Sequence, residues 1–319
     1  MEKNSRIFIA GHRGLVGSAL VRRLQALGFS NLILRTRLEL DLASSFAVAK
    51  FFEEQRPDYV FLAAAKVGGI MANSQEPADF IRLNLELQTN VIHNAYVHDV
   101  KRLLFLGSSC IYPRDCQQPI KEDYLFTGPL EPTNSAYAMA KIAGIEMCRS
   151  YNDQYKTRFL CAMPTNLYGL GDNYDPRGSH VLPALIRKFV EAKQARLPSV
   201  TVWGTGTPLR EFLFSDDLAD ACIHLMDLSE IELDSVLNTR RYPLINIGFG
   251  SDLSISDLAS LVKKVTHYEG EIVFDHSKPD GTPRKLIDSR FMRSLGWVPK
   301  VPLQDGIAHA VSDFSSRAS

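Results

Sequence analysis

Tyr137 and Lys141 stand four residues apart in a segment with the apolar spacing of an amphipathic helix. Residues at this separation share one face of a helix, so the lysine can lie beside the phenol. A tyrosine ordinarily has a pKa of about 10, and a neighbouring cation favours its ionised form, which brings acid–base work closer to neutral pH. Many helices carry such a pair as a surface contact. Its weight here comes from Ser108, which we place at the end of a fourth strand, where open α/β sheets bind ligands.

Three glycines, Gly11, Gly14 and Gly17, follow the apolar run RIFIA (6–10) and open an amphipathic stretch. Glycines at this spacing permit a tight turn, and the amides at the start of the helix attract a pyrophosphate. Because strand, glycines and helix occur in one unit, the motif predicts a dinucleotide site rather than a plain turn. The candidate cofactor contacts between the glycines are Arg13, Leu15 and Val16.

The second strand is expected at NLILR (31–35), near which NAD enzymes commonly carry an acidic residue for the ribose 2′-hydroxyl. This chain has Arg35 and Arg37 instead. Guanidinium groups suit a 2′-phosphate, so NADPH is favoured over NADH, with Arg13 as a further partner. Solvated surface arginines are the alternative. Asp41, just beyond, is expected to face the adenine or to serve as a helix-entry group.

These residues need a scaffold, and the first half of the chain alternates short apolar runs with longer amphipathic stretches. That alternation predicts the βαβα order of a parallel sheet. Helices are expected near 77–98 and from about Ser135 to Tyr155, and Ser44 or Ser45 is the expected cap of an earlier helix. Further strands are expected at 58–64, 101–109 and 158–164.

Beyond residue 165 the pattern loosens into clusters of Gly and Pro between shorter helices, such as 215–228, which predicts a smaller substrate-covering region. REFLF (210–214) and PLINIG (243–248) are again strand-like, and we expect the main sheet to recruit them. The two domains would then interleave. Residues 1–164 and about 210–248 would bind the cofactor, and residues about 165–209 and 249–319 would bind the substrate.

Composition narrows the class of protein. The 36 basic and 36 acidic side chains balance, so no overall field recruits nucleic acid or an anionic membrane. The five cysteines include no C-x-x-C pair, which indicates neither a disulfide framework nor a zinc site, and we expect no metal. The apolar run near the N-terminus is too short for a signal peptide or a membrane span, so we expect a cytoplasmic protein.

Six segments together resemble the extended short-chain dehydrogenase/reductase family: GHRGLVG (11–17), LAAAKVGGI (62–70), LGSSCIYP (106–113), EPTNSAYAMAKIAGIEMC (131–148), MPTNLYG (163–169) and KPDGTPRK (278–285). The resemblance reaches from the first strand to about residue 297. It implies a Rossmann-type doubly wound parallel sheet with a smaller α/β substrate-binding domain, and NADPH/NADP+ as cofactor. Within the family it points to members that epimerise GDP-4-keto-6-deoxy-D-mannose at C3 and C5 and reduce it at C4 to GDP-L-fucose.

The same resemblance assigns roles to five catalytic residues. Tyr137 would protonate the C4 oxygen during hydride transfer, Lys141 would lower its pKa and hold the nicotinamide ribose, and Ser108 would hydrogen-bond the same oxygen. Cys110 and His180 would be the base and the acid of the epimerisation. The cofactor contacts implied in this way are Leu106, Gly107, Ser108, Ser109, Lys141, Pro164, Thr165, Asn166, Leu167 and His180. The contacts to the nucleotide sugar are Lys188, Trp203, Arg210 and Asp280.

One carbonyl can drive all three steps, because a ketone at C4 acidifies the hydrogens at C3 and C5 and one set of groups stabilises its oxyanion. A partly ionised thiolate near neutral pH suits Cys110 as the base. We expect Cys110 on a strand two residues after Ser108, with its side chain on the same side. The plainer alternatives are core positions for Cys110 and Trp203, a solvated loop position for His180, and an ion pair of Arg210 with Glu211 or Asp216.

Other functions stay open from the residues alone. A 4-epimerase that recycles NAD would prefer an acidic ribose ligand to Arg37, and a 4,6-dehydratase of this family carries a Glu near the position of Cys110. A redox sensor that binds NADP without catalysis is another alternative, which the intact Ser108, Tyr137 and Lys141 disfavour. The two long helices are expected to pair with their copies in a homodimer, as in family members.

Overall fold

The computed structural model describes residues 1–176, 178–278 and 280–318. In chain order the strands are β1 (Ile7–Ala10), β2 (Leu32–Ile33), β3 (Tyr59–Leu62), β4 (Arg102–Leu106), β5 (Phe159–Pro164), β6 (Asn166–Tyr168), β7 (Ser199–Trp203), β8 (Leu209–Arg210), β9 (Phe212–Phe214), β10 (Leu244–Ile247), β11 (Leu253–Ser254), β12 (Glu271–Asp275) and β13 (Arg284–Lys285). The helices are α1 (Leu15–Ala26), α2 (Ser45–Gln55), α3 (Ile70–Gln75), α4 (Pro77–Val97), α5 (Ser135–Tyr155), α6 (Val181–Gln194), α7 (Ser215–Asp227), α8 (Glu230–Thr239), α9 (Ile255–Thr266), α10 (Arg290–Ser294) and α11 (Leu303–Ala318).

Six parallel strands form the central sheet in the order β10-β5-β4-β3-β1-β2. β1 pairs with β2 on one side and with β3 on the other, so the direction of winding reverses at β1. Open α/β sheets bind ligands beyond the carboxyl ends of their strands at such a switch point. The sheet confirms the predicted fold class and directs attention to the ends of β1, β3 and β4.

Helices cover both faces of this sheet. On one face α1 and α7 pack into a core that includes Leu20 and Leu218, and on the other α2, α4 and α5 pack into a core that includes Phe52 and Ile145. With both faces covered, β1 and β3 are buried at every position, which explains why their sequences are continuous apolar runs without polar alternation.

The helix predictions agree closely with the structure. α5 has the predicted bounds, and α4 ends at Val97. Ser44 is the residue that caps α2, because its side chain accepts a hydrogen bond from the amide of Ala47 at 3.3 Å. The second strand is shorter than predicted, since only Leu32–Ile33 pairs with β1.

PLINIG joins the central sheet as β10, as predicted, but the prediction that REFLF does so is wrong. Its residues divide between β9, which pairs with β6, and β8, which lies between β11 and β13 in a three-stranded sheet. Glu211 separates the two pieces. Its buried carboxylate accepts the amides of Gly250 at 2.7 Å and Ile287 at 3.1 Å, which anchors this segment outside the central sheet.

A third core forms among α6, α9 and α11 beside the parallel pair of β7 and β12, and it includes the fully buried Phe189 and Leu258. Pro279, within the KPDGTPRK segment, lies outside the described residues. In the part of the chain that is described, no helix is both long and apolar enough to cross a bilayer. No group of three His, Cys, Asp or Glu side chains in that part is arranged to hold a metal ion.

Candidate active site

The glycine turn after β1 is packed too tightly for side chains at two of its three glycines. A Cβ on Gly17 would lie 2.0 Å from the carbonyl oxygen of Gly11, and one on Gly11 would lie 2.8 Å from Cα of Ala64. Gly11 also has a φ of 85°, which favours glycine. At Gly14 the nearest atom to a Cβ would be 3.4 Å away, so the space in front of α1 is open. The turn therefore leaves the first amides of α1, those of Leu15 and Val16, accessible to an anion.

Two of the three candidate phosphate-binding arginines are available to a ligand. Arg13 and Arg37 are exposed, and within the described residues neither has an ion pair or hydrogen bond. Arg35 is already engaged: Nη1 donates to its neighbour's carbonyl at 2.9 Å and Nη2 to Oε1 of Gln55 at 3.4 Å. The geometry therefore leaves Arg13 and Arg37 as the groups able to meet a 2′-phosphate.

Asp41 has an exposed carboxylate whose Oδ1 accepts the amide of Ala43 at 3.1 Å. The amide of Ser44, the cap of α2, donates to the carbonyl of Asp41 at 3.0 Å. These bonds favour the helix-entry role, although an exposed carboxylate keeps acceptor capacity for a ligand.

Lys141 lies under the centre of the site and is 2% exposed. Its Nζ donates to the carbonyl of Leu106 at 2.7 Å and lies 5.8 Å from the centre of the Tyr137 ring. Burial lowers the pKa of Lys141 to about 8, while the nearby Cys110 and Cys161 act in the opposite direction. The lysine thus ties α5 to the end of β4 and can change its charge within a functional pH range.

Tyr137 contacts the edge of Phe80, with ring centres 6.2 Å apart, and it is half-buried. Burial raises its pKa well above the ordinary value, and Cys110 adds to the rise. The expected effect of Lys141 on the pKa of Tyr137 stays a prediction, since burial and Cys110 are the influences that raise this pKa in the free protein. A phenol that keeps its proton is suited to act as a proton donor.

Ser108 and Cys110 follow β4, but they do not continue the strand. Ser109–Ile111 forms a short 3-10 helix with Ser108 as its first flanking residue. The prediction that Cys110 follows Ser108 on a strand is therefore wrong: the chain turns because the amide of Ile111 bonds back to the carbonyl of Ser108 at 3.2 Å. The turn still keeps the two side chains near each other, since the Ser108 side chain lowers the pKa of the Cys110 thiol against the effect of burial.

Cys110 is 8% exposed, and burial raises the pKa of its thiol. Three groups oppose this rise: Lys285 most strongly, then the side chain of Ser108, then Lys141. The expected thiolate near neutral pH is thus not favoured by the free site as a whole, because desolvation is the largest effect. It depends on the cations that surround the sulfur.

His180 is the residue before α6, with extended backbone, and its carbonyl accepts the amide of Ala184 at 3.0 Å. The residue as a whole is exposed, yet the protein around its ring removes enough water to lower its pKa, and Lys285 lowers it further. The described structure therefore gathers Ser108, Cys110, Tyr137 and Lys141 around the end of β4, whereas His180 lies on a different element, at the start of α6.

Lys188 and Trp203 lie together on the smaller region. Nζ of Lys188 donates to the carbonyl of Thr201 at 2.8 Å and lies 5.5 Å from the centre of the Trp203 ring. Trp203 is 62% exposed, so it is not a core residue. Lys278 approaches the same ring, with Nζ 5.6 Å from its centre. An exposed indole flanked by cations offers a flat face and positive charge to a nucleotide.

Arg210 is half-buried, and burial lowers its pKa while Asp280 opposes that effect. Neither alternative ion pair occurs in the described structure: Glu211 accepts backbone amides, and Asp216 pairs with Arg22. Arg210 therefore keeps donors for an anionic ligand.

Asp280 accepts the amide of Thr205 at 2.7 Å and the Thr205 hydroxyl at 2.8 Å. It thereby fixes the turn that follows Trp203. An aspartate held in this way fixes the backbone beside the exposed Trp203 ring.

The remaining predicted cofactor contacts follow β4 and β5. The amide of Gly107 donates to the carbonyl of Ala162 at 2.9 Å, and a Cβ on Gly107 would lie 2.1 Å from Cε of Met163. After Pro164, the side chains of Thr165 and Asn166 both donate to the carbonyl of Glu211, at 3.2 and 2.8 Å. The last contacts, Leu106, Ser109 and Leu167, belong to β4, the 3-10 turn and β6.

The sequence pattern that defines the NAD dependent epimerase/dehydratase family matches residues 7–238, from β1 to the end of α8. The chain belongs to this family. The epimerase/dehydratase assignment confirms the family resemblance of the sequence motifs.

Similar proteins extend over nearly the whole chain. It is 58% identical over 308 residues to "Putative GDP-L-fucose synthase 2" of Arabidopsis thaliana, covering 97% of this chain and 91% of that protein. It is 54% identical over 310 residues to "GDP-L-fucose synthase" of Escherichia coli (strain K12), covering 97% and 96%. A GDP-D-glycero-L-gluco-heptose synthase of Campylobacter jejuni, solved in the presence of NADPH, shares 43% identity and a TM-score of 0.92 over 99% of both chains.

The structure of this epimerase/dehydratase member also contains two polar residues that sequence reasoning missed. Asn84 holds the loop after β3: Oδ1 accepts the amide of Lys66 at 2.9 Å, and Nδ2 donates to its carbonyl at 3.0 Å. Lys285 acts electrostatically on Cys110 and His180. Lys285 ends the quoted motif KPDGTPRK and was available as a signal, whereas nothing in the pattern of α4 distinguishes Asn84.

Proposed function

We propose that this protein epimerises GDP-4-keto-6-deoxy-D-mannose at C3 and C5 and reduces it at C4 with NADPH, giving GDP-L-fucose, the reaction of a GDP-L-fucose synthase. The observation that carries the proposal is the cluster of Ser108, Cys110, Tyr137 and Lys141 at the end of β4. It combines a proton donor for a carbonyl oxygen with a thiol that can remove protons from the neighbouring carbons. The names of the Arabidopsis and Escherichia coli relatives support the same substrate.

The residues at the switch point fit NADPH. The open space at Gly14 and the accessible start of α1 provide a pyrophosphate cradle. Arg13 and Arg37, which have no partner among the described residues, provide a 2′-phosphate site. The presence of NADPH in the Campylobacter jejuni structure supports this choice of cofactor. When bound, NADPH supplies the hydride for C4. Lys141, 2.7 Å from the carbonyl of Leu106, is positioned to hold the ribose next to the nicotinamide.

Epimerisation is the work of Cys110 and His180. The Cys110 thiolate takes the proton from C3 or C5, and the electron pair of that C–H bond moves through the enolate onto the C4 oxygen. Ser108 and Tyr137 stabilise this oxyanion by donating hydrogen bonds to it. His180 returns a proton to the carbon from the opposite side, which inverts the centre.

Reduction uses the same oxygen. Once both centres are inverted, Tyr137 gives its proton to the C4 oxygen as the carbonyl becomes an alcohol. Its raised pKa keeps the phenol protonated for this step. Lys141 stabilises the phenolate that remains, because its ammonium group lies 5.8 Å from the ring centre.

The nucleotide lies across the smaller region in this proposal. Trp203 stacks on the base, and Lys188 and Arg210 neutralise the diphosphate. Asp280 holds the turn after Trp203 through Thr205. The sugar then points from this surface toward Cys110.

Two chemical features weigh against the other family activities. A thiol at position 110 replaces the Glu of the dehydratases, and the cationic second-strand loop with exposed Arg37 is unsuited to an NAD ribose. A sensor without catalysis would not need a phenol, a buried lysine and a thiol around one point.

Two further proposals concern the oligomeric state of the protein and its location in the cell. α4 and α5 present an aromatic cluster in which the rings of Tyr96 and Tyr155 stack at 4.1 Å, and Val97 remains 48% exposed. We propose that this face pairs with its copy in a homodimer, which light scattering after size-exclusion chromatography tests. All five cysteines are free, which suits the reducing cytoplasm that we propose as its location.

The test is product analysis after mixing the protein with GDP-4-keto-6-deoxy-D-mannose and NADPH. The proposal expects GDP-L-fucose, identified by NMR, and one NADPH consumed for each product molecule. A 4-epimerase would leave the NADPH concentration unchanged, a dehydratase would not reduce the ketone, and a sensor would return the sugar intact. Any of these three results contradicts the proposal.

A further inference from the structure

Phe80, in the first turn of α4, is the aromatic residue that packs against Tyr137. Their ring centres lie 6.2 Å apart and the ring planes meet at 89°, which is an arrangement that aromatic pairs favour. Phe80 is 1% exposed, whereas Tyr137, on α5, is half-buried. The phenol that we propose as the proton donor therefore rests against a ring that is itself fully enclosed.

The rest of the surroundings of Phe80 come from the segment after β3. Nζ of Lys66 lies 5.1 Å from the centre of the Phe80 ring, within the range of a cation–π contact. Oε2 of Glu76 accepts a hydrogen bond from the same Nζ at 2.6 Å, which holds the lysine in place. A Cβ on Gly68 would lie 3.1 Å from Cζ of Phe80, so the backbone there approaches the ring closely. The Phe80 ring is thus confined between this segment and Tyr137.

Asn84 fixes the segment after β3 to the helix that carries Phe80. Its side chain is fully buried, and its Oδ1 accepts the amide of Lys66 at 2.9 Å. Its Nδ2 donates to the carbonyls of Lys66 and Phe80, at 3.0 and 2.8 Å. One buried amide therefore sets the position of Lys66 relative to Phe80, on which the enclosure of the ring depends.

The same segment is also anchored at both of its ends. The amide of Ala63 donates to the carbonyl of Ala10 at 3.1 Å, beside the glycine turn. At the other end, Nδ2 of the buried Asn73 donates to the carbonyls of Gly68 and Gly69, at 2.8 and 3.0 Å. These bonds hold the segment in place without any contribution from Tyr137, so it can serve as a fixed support.

We propose that Phe80 is a positioning residue for the reduction, whose fixed ring holds the Tyr137 phenol in the orientation from which it protonates the C4 oxygen. Without that ring the phenol keeps its proton but adopts other orientations, and small misplacements slow a reaction steeply. The Cys110 thiol lies on the turn after β4, so removal of a carbon-bound proton depends less on this contact. The inference rests on the proposed function, because it assigns a support to the proposed proton donor.

The first experiment needs no sugar. The whole protein is labelled with carbon-13 in its tyrosine rings, and the Tyr137 signal is identified by its loss in Tyr137→Phe. We expect Phe80→Leu to lower the NMR order parameter of the Tyr137 ring, because the phenol samples more orientations. Phe189→Leu is the matched control: it removes another fully buried ring that packs against a tyrosine, Tyr268, with ring centres 5.6 Å apart. It should leave the Tyr137 order parameter unchanged.

The second experiment compares two rates at saturating sugar. Reduction is measured with NADPH, and deuterium entry at C3 and C5 is measured in heavy water with NADP+ in its place, so that no reduction competes. Phe80→Leu should lower kcat for reduction about tenfold or more at unchanged KM, and slow exchange less than about threefold, because Cys110 and Ser108 remain. Loss of folded protein would lower both rates equally. Phe189→Leu should keep the wild-type ratio of the two rates.

If Phe80→Leu unfolds, as judged by circular dichroism, Phe80→Met takes its place in both experiments, because its flexible side chain fills much of the same space without a ring. An unchanged order parameter of the Tyr137 ring overturns the inference, and so does an unchanged ratio of reduction to exchange. A lowered order parameter, together with a wild-type protein that leaves the sugar unaltered, overturns the proposed function instead.

Discussion

Lys141 donates a 2.7 Å hydrogen bond from Nζ to the backbone carbonyl of Leu106, the last residue of β4. The bond joins the helix that carries Tyr137 to the strand that leads into Ser108. The ammonium group also lies 4.6 Å from the centre of the Phe105 ring, and its burial is nearly complete. One buried ammonium group therefore contacts the helix, the strand and the side chains of the candidate site.

That buried charge predicts a pH-dependent stability. Burial lowers the pKa of Lys141 from 10.5 to about 8 in the folded protein. Below about pH 8 the folded protein carries the full cost of the buried charge, and above about 10.5 the lysine is neutral in both states. Between these limits the unfolded chain binds more protons, so stability rises with pH.

The measurement compares the wild type with Lys141→Met by urea unfolding across that pH range. The free energy of unfolding of the wild type, minus that of the variant, should rise by about 3 kcal/mol in total. A difference that does not change with pH means that folding leaves the pKa of Lys141 unshifted, which contradicts a desolvated ammonium group in the folded protein.

Gly17 and Gly14 predict opposite responses to alanine. A Cβ at Gly17 would lie 2.0 Å from the carbonyl oxygen of Gly11, so Gly17→Ala should cost about 2 kcal/mol or more of unfolding free energy and abolish NADPH binding. Gly14→Ala should change the free energy of unfolding by less than about 1 kcal/mol, because its Cβ would meet nothing nearer than 3.4 Å. The same variant should weaken the binding of NADPH. Urea unfolding and NADPH fluorescence titration measure both. Equal stability loss in the two variants contradicts this account of the turn.

Arg37→Glu tests the choice of cofactor. It replaces an exposed and unpaired cation with an anion next to the proposed 2′-phosphate, so the Kd for NADPH should rise about tenfold or more, while that for NADH changes little. Lys264→Glu, an exposed position on α9, makes the same charge change away from the site and should affect neither. Equal weakening of both cofactors by Arg37→Glu removes Arg37 from the 2′-phosphate site.

Tyr137→Phe tests the proton donor. The ring and its contact with Phe80 remain, so the variant should fold and bind NADPH normally, while the rate of ketone reduction falls about 100-fold or more. Tyr174→Phe is the control, since it removes a hydroxyl that donates to Ala310 at 3.1 Å in another part of the molecule. Turnover near the wild-type rate in Tyr137→Phe excludes it as the donor.

The sheet and its helices could be predicted because they depend on local periodicity. α5 has the predicted bounds, and the glycine turn occurs where strand, glycines and helix meet. REFLF could not be placed by the same reasoning. Its fate depends on Glu211, whose carboxylate bonds to amides at positions 250 and 287, far along the chain. A run of three apolar residues after two charged ones does not reveal such distant partners.

The site residues could be located from their types and spacing, but their protonation states could not be predicted in this way. Tyr137 and Cys110 both have raised pKa values, because burial is the largest influence on each. Burial depends on residues from other elements, such as Phe80 of α4 beside Tyr137, and the spacing of Tyr137 and Lys141 does not reveal them. Lys285 escaped attention for the same reason, since its neighbours are distant in sequence.

Isotope labelling separates the two stages, because epimerisation exchanges carbon-bound hydrogen with solvent and reduction does not. In heavy water with ordinary NADPH, the sugar product should carry deuterium at C3 and C5 and protium at C4. Deuterated NADPH in ordinary water should label C4 alone. Both patterns are read by NMR of the isolated product.

Cys110→Ser gives the most direct test of the central claim, that Cys110 is the base for both epimerisations. A serine hydroxyl ionises far above the working pH, so exchange at C3 and C5 should collapse while Tyr137 can still support reduction. In heavy water with ordinary NADPH, any reduced product should be largely unepimerised and free of deuterium at both carbons. A doubly deuterated, epimerised product formed by Cys110→Ser at close to the wild-type rate contradicts the claim and assigns the base to another residue.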